Sequence, residues 1–166
     1  MNDTTAEWEE RLAAHWAAFD DLTAGAFVAR LEGLAAELPA GSAVGLYERG
    51  GGHDSTGRTE LAVPLYRAAL AAGLAGPRRR QAVIQMASSI RSLGDAAEAA
   101  ELLRTELARA SDALDGAVRG FLALALIDLG REREAAALAL AALAPTLPRY
   151  GRSLARYAAA IAATRP

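Results

Sequence analysis

At 166 residues and 17.3 kDa the chain has the length of one structural domain, and its lack of cysteine excludes disulfide frameworks, thiolate metal sites and cysteine nucleophiles. Its 43 Ala and 24 Leu, against only 5% aromatic residues, favour helix over strand and predict an all-α chain. All 18 basic residues are Arg, which removes Schiff-base and phosphate-loop lysine chemistry, and a net charge of −2 argues against nucleic acid as a partner.

Helix-period spacing begins at once. Trp8, Leu12, His15 or Trp16, Phe19 and Leu22 recur every three to four residues and predict a first helix with one apolar face. Thr23 is a candidate cap for a second helix over 24–38, carrying Phe27, Leu31, Leu34, Ala35 and Leu38 and ended by Pro39 and Gly41. Together these make an N-terminal acidic helical hairpin over 1–41. Residues 42–56 read as helix or as Gly-rich loop, because Gly45, Gly50, Gly51 and Gly52 each cost about 1 kcal/mol relative to Ala inside a helix. A helix over 58–74 follows, with Pro64 near its start. Pro77 opens 77–93, Gly94 ends it, and Asp95 with Glu98 forms a capping box for 96–110. Asp112 caps 113–129, Gly130 stops it, 131–144 runs to Pro145, and Pro148 starts a last helix with Leu154, Tyr157, Ala158 and Ile161.

Three helix-ending glycines set a period: Gly57 to Gly94 is 37 residues and Gly94 to Gly130 is 36. Five residues after each stands Ala62, Ala99 or Ala135, and seven before stands Gly50, Ala87 or Ala123, all small enough to let paired helices approach. Ala99→Leu or Ala135→Leu is therefore expected to destabilise by overpacking. The unit Gly50, Gly57, Ala62, Tyr66 and Ala69 resembles the tetratricopeptide repeat closely. The resemblance covers about 42–147 as three hairpins (42–76, 77–111, 112–147) and departs from the family in its period, in His53, in Glu106 and in the lack of a closing Pro. It implies a right-handed superhelix of three such hairpins, flanked by the N-terminal hairpin and a C-terminal capping helix over 148–166, as one structural domain. A plain helical bundle is the alternative.

Candidate chemistry is sparse. His53, Asp54 and Ser55 are neighbours on a helix, point in different directions and cannot form a triad unaided. Gly50 to Gly52 lack the following Gly-Lys-Ser/Thr of a phosphate loop. Glu98 with Glu101, and Glu132 with Glu134, sit where acids favour the helix dipole. Arg78, Arg79 and Arg80 read as a solvated face, and His15 as a core or edge histidine without a second metal ligand. No catalytic residue, metal or cofactor is expected.

The resemblance implies a non-enzymatic protein-interaction module whose first helices line a concave groove for a protein or peptide segment. Carried over by position, that groove comprises Val44, Tyr47, Asp54 and Ser55, then Gln81, Ile84, Ser88, Arg91 and Ser92, then Ala117, Leu124, Ile127 and Asp128. Arg91 would hold a carboxylate of the bound segment. Without Lys, and with Asn2 as the single Asn, the lysine–asparagine clamp for chaperone tails is disfavoured. A self-associating structural protein is the second reading, and an enzyme the third.

The longest uncharged apolar run, 135–148, has 14 residues and two prolines, too short for a membrane span. An acidic start in place of a leader makes a cytoplasmic location the expectation. Residues 1–40 carry eight acids against Arg11 and Arg30, whereas Arg149, Arg152, Arg156 and Arg165 stand in an acid-free tail. The chain also resembles a group of small bacterial tetratricopeptide proteins, which implies a homodimer. In it Trp8, Leu12, Trp16 and Phe19 would form an apolar interface, and Glu9, Glu10, Asp20 or Asp21 would pair with the tail arginines.

Overall fold

The computed structural model describes residues 4–109 and 111–163, which form nine α-helices joined by short turns, with no strand among them. Asn2, Asp3, Arg165 and the last position of the expected 96–110 helix lie outside the described residues. Contacts divide the chain into two compact units, one up to Ser89 and one from Ile90 on.

The first unit contains α1 (Ala6–Ala17), α2 (Ala24–Ala36), α3 (Ala43–Ser55), α4 (Thr59–Ala71) and most of α5 (Gly76–Ser92). Hydroxyls cap three of these: Thr5, Thr23 and Ser42 accept from the amides of Trp8 (3.2 Å), Ala26 (3.3 Å) and Gly45 (3.3 Å). Burial of Trp8, Leu12, Phe27, Leu31 and Leu38 closes α1 on α2, and the Trp8 indole N–H donates to the Leu34 carbonyl at 2.9 Å. Phe27 lies in an aromatic box, stacked on His15 at 4.2 Å and meeting Trp16 and Phe19 edge-on at 5.1 and 4.8 Å.

The second unit holds the end of α5, then α6 (Ala96–Arg109), α7 (Asp115–Asp128), α8 (Glu132–Leu143) and α9 (Gly151–Ala163). Asp95 caps α6 as expected, accepting from the Glu98 amide at 2.9 Å. Its core is small and aliphatic, built from Ala96, Ala99, Leu103, Val118, Leu122, Leu126 and Ala135. Consecutive helices pack in order, α6 on α7, α7 on α8, and α8 on α9.

The all-α repeat architecture is as expected, and Gly57, Gly94 and Gly130 all carry the left-handed backbone, with φ of 77°, 100° and 68°. The second helices of successive hairpins start at Ala24, Thr59, Ala96 and Glu132, steps of 35, 37 and 36 residues. The start of α2 thus keeps the spacing of the three expected repeats.

Several expected boundaries need correction. The first helix stops at Ala17, and Phe19 lies on a 3-10 turn (Phe19–Asp21), so the apolar stripe outruns the helix that begins it. Asp112 does not cap α7. It accepts from the Leu114 amide at 2.7 Å in a preceding turn, and the helix starts at Asp115. Pro148 does not open the last helix, which begins at Gly151 after Tyr150, a residue held at φ 68°. Residues 43–55 are helix, for a reason that belongs to the site.

Candidate functional site

Four glycines in one helix are tolerated because α3 has neighbours on several sides. A Cβ at Gly50 would lie 2.9 Å from the fully buried Tyr66 ring of α4, one at Gly51 would lie 3.3 Å from the Trp16 indole of α1, and one at Gly52 would strike Leu31 of α2. The propensity cost is offset by the apolar surface that close approach buries.

The same arrangement leaves a cleft of about 520 Å³ in the first unit, lined by α1 (Glu9, Leu12, Ala13, Trp16), α3 (Tyr47, Glu48, Gly51, Ser55) and the start of α5 (Pro77, Arg78, Gln81, Gln85). Arg78 is its electrostatic centre. Its Nε donates to the buried Glu48 at 2.9 Å, and its two terminal nitrogens grip Glu9 in a fork at 2.9 and 2.6 Å. Glu48 receives a second bond from the Trp16 indole N–H at 3.0 Å, and Glu9 one from the Thr4 hydroxyl at 2.7 Å.

The two carboxylates respond in opposite senses. Burial raises the Glu48 carboxyl above its ordinary value, a rise opposed by the Trp16 and Arg78 bonds, whereas the Arg78 hydrogen bonds lower that of the more exposed Glu9. Tyr47 is buried, its hydroxyl pushed up to about 12 by desolvation, and it donates to Gln81 Oε1 at 3.2 Å. The Gln85 Oε1 is buried without a hydrogen-bond partner.

Of the expected groove residues in this unit, Tyr47, Ser55 and Gln81 come together at the cleft. Ile84 does not face a groove, being 6% exposed and part of the core. Asp54 is tied instead to the buried Ser89, whose hydroxyl donates to it at 2.7 Å, and desolvation raises its carboxyl. Ser88 beside it is half-buried. His53 Nε2 lies 3.7 Å from Glu32, which ion-pairs with Arg49, so the His53-Asp54-Ser55 run has three separate surroundings.

The reading of Arg78 to Arg80 as a solvated face is overturned, since Arg78 is ion-paired and Arg80 is 4% exposed. Of the expected interface residues Trp8, Leu12, Trp16 and Phe19, the first two are buried and the last two half-buried. Trp8 and Leu12 are 3% and 4% exposed because α2 covers them within the same chain, and Trp16 is committed to Glu48 and the face of Gly51. Glu9, Glu48, Arg78 and Gln85 were not foreseen as cleft residues. The available signal was an acid set between an apolar first turn and three glycines, and a Gln repeated at the i+4 position.

In the second unit Arg91 and Asp128, both expected in the groove, meet each other. Arg91 Nε lies 2.7 Å from Asp128 Oδ2, and a terminal nitrogen donates to Oδ1 at 3.2 Å. Arg91 is thereby held by its own chain, which corrects its assignment as a free carboxylate grip. Beside Asp128 on α7, Leu124 and Ile127 are 40% and 50% exposed, and Ser92 is exposed as well. Among the described residues no group of three His, Cys, Asp or Glu is placed to hold a metal, and no helix is long and apolar enough to cross a membrane.

The tetratrico peptide repeat family model matches residues 43–161, from the first residue of α3 into α9. The chain belongs to the tetratricopeptide repeat family. No curated protein and no solved structure matches it significantly. The tetratricopeptide match leaves α1 and α2 outside, yet α1 supplies Glu9 and Trp16 to the cleft. Membership points to protein partners and to a scaffold of the kind that is typically non-enzymatic.

Proposed function

We propose that this chain is a non-enzymatic interaction module that takes a segment of a partner protein in the first unit's cleft. The observation that carries this is the cleft's lining: an indole, a phenol and two glutamine amides around a space of about 520 Å³, with its arginine already bonded to two carboxylates. Such a surface offers shape, aromatic area and amide hydrogen bonds, which suit peptide recognition, and offers no free nucleophile–base pair. A net charge of −2 supports protein in preference to nucleic acid as partner.

A photoreactive side chain introduced at Ser55, which is exposed at the cleft, tests the reading in living cells. Cross-links to a defined partner segment from Ser55, absent from the same group placed at exposed Gly25 on α2, are expected. Equal labelling from both positions overturns it.

Self-association is a second reading, favoured by charge. Glu7, Glu10, Asp20 and Asp21 are exposed in the first unit and Arg149, Arg152 and Arg156 in the second. We infer that these surfaces of two copies pair, Glu9 being already held by Arg78. Light scattering at high micromolar concentration and low salt should then exceed the mass of one chain and return to it in high salt. A mass of one chain at low salt overturns this reading.

A further inference from the structure

We propose that the first unit's cleft selects an uncharged, extended peptide segment and rejects acidic ones. The inference rests on the preceding reading of the cleft as a partner site and specifies which chemistry it takes. Three observations carry it.

The charges are closed among themselves. Arg78 spends three of its five N–H groups on two carboxylates, Nε on Glu48 and one from each terminal nitrogen on Glu9, so an incoming carboxylate meets one cation already outnumbered by two acids. An incoming cation would have to compete with Arg78, because Glu48 already accepts one bond at each oxygen, and Glu9 accepts two at Oε1 and one at Oε2.

Two amides remain, and one is incomplete. Gln81 uses its carbonyl oxygen for the Tyr47 hydroxyl, which leaves its NH₂ to donate. Gln85 Oε1 lacks any partner and calls for an N–H donor. Gln85 lines the cleft and the terminal torsion of a glutamine is broad, so a ligand N–H would draw that oxygen out by rotation of the amide.

The spacing fits. Gln81 and Gln85 are four apart on α5, which puts their Cβ atoms about 5–6 Å apart on one helix face. Alternate residues of an extended peptide present backbone groups to the same side about 6.6 Å apart, close enough for the long side chains to absorb the difference. The carbonyl of one ligand residue would then accept from Gln81, and the N–H of the residue two further on would donate to Gln85. Trp16 and Tyr47 border the same space and favour an apolar side chain between those two points.

The test is a selection of random dodecapeptides displayed on phage against the immobilised full chain, followed by titration of the synthesised winners. Uncharged consensus peptides are expected. Gln85→Met should weaken them about tenfold, and one N-methyl group on the ligand amide that meets Gln85 should weaken binding equally to the native chain while adding no further loss to Gln85→Met. Should Gln85→Met not fold, the N-methyl scan on the native chain decides alone, since one sensitive amide is expected and none overturns the proposal. Winners that are acidic or basic, or that ignore Gln85, overturn the proposal while leaving the partner-site reading intact. No winner of any kind overturns both.

Discussion

Gly50, Gly51 and Gly52 show how a residue that is poor in isolation becomes the right one in contact. Gly50→Ala would improve helix propensity by about 1 kcal/mol, but its Cβ must displace a ring that is fully buried, so a net loss on the order of 1–3 kcal/mol is expected. Gly33→Ala, in α2 with open space around it, should instead gain up to about 1 kcal/mol. Urea unfolding of the two variants checks the contrast, and a stabilised Gly50→Ala would mean that Tyr66 does not set the α3–α4 spacing.

His15 is the second residue with a distinct signature. Burial lowers its pKa below the ordinary 6.5, the larger effect against a raising backbone bond, so the unfolded chain takes up a proton more readily than the folded one. Stability tied to neutral His15 is thus present above pH 6.5 and lost as pH falls through 6.5 toward the folded value. His15→Leu should therefore gain relative to the native chain between pH 7.5 and 5.5. Comparing the two proteins isolates this contribution from Glu48 and Asp54, whose raised values act in the opposite direction. Parallel pH profiles would contradict it.

At the scale of elements, the Glu9-Arg78-Glu48-Trp16 chain ties α1, α3 and α5 together across 69 residues of sequence. Arg78→Ala leaves Glu48, whose side chain is 6% exposed, with only the indole bond. Arg78 itself is 27% exposed, so the cost is expected below that of a fully buried pair, about 1–3 kcal/mol. The pH dependence is diagnostic. A carboxyl whose folded pKa is raised favours the fold below its unfolded value and loses that contribution as pH rises through the folded one. Without Arg78 the Glu48 carboxyl rises further, so the penalty of Arg78→Ala should shrink from pH 7.5 to 4.5. A penalty that stays constant or grows on acidification would show that Glu48 is not the strained group.

For the whole molecule, the repeat order confines most contacts to neighbouring helices, and stability in such stacks is close to a sum of local terms. Ala135 is 2% exposed in α8, and Ala135→Leu should overpack the second unit by about 1–3 kcal/mol. Amide hydrogen exchange should then accelerate in α6 to α9 while α1 to α4 keep their protection. Uniform acceleration through both units would mean that the chain unfolds as a single cooperative body.

The helical class, the stop glycines Gly57, Gly94 and Gly130, the cap at Asp95 and the small residues at 62, 99 and 135 were readable from sequence, because each is a local or periodic requirement of the backbone. The shared period of the N-terminal hairpin was obscured, since His15 and Phe27 stand where the other hairpins carry small residues, and Leu22 stands where they carry a glycine. Whether 43–55 was helix or loop could not be settled by propensity, as the answer lay in Tyr66, Trp16 and Leu31 pressing on three adjacent glycines. The cleft was hidden for the same reason. Glu9, Trp16, Glu48 and Arg78 are ordinary surface or core types at unrelated spacings, and only the packing of α1 and α5 beside α3 brings their polar atoms within hydrogen-bond reach. Local chemistry determined which segments are helices and where they stop; side-chain volume and desolvation between distant segments decided which faces meet, and so where a partner could be held.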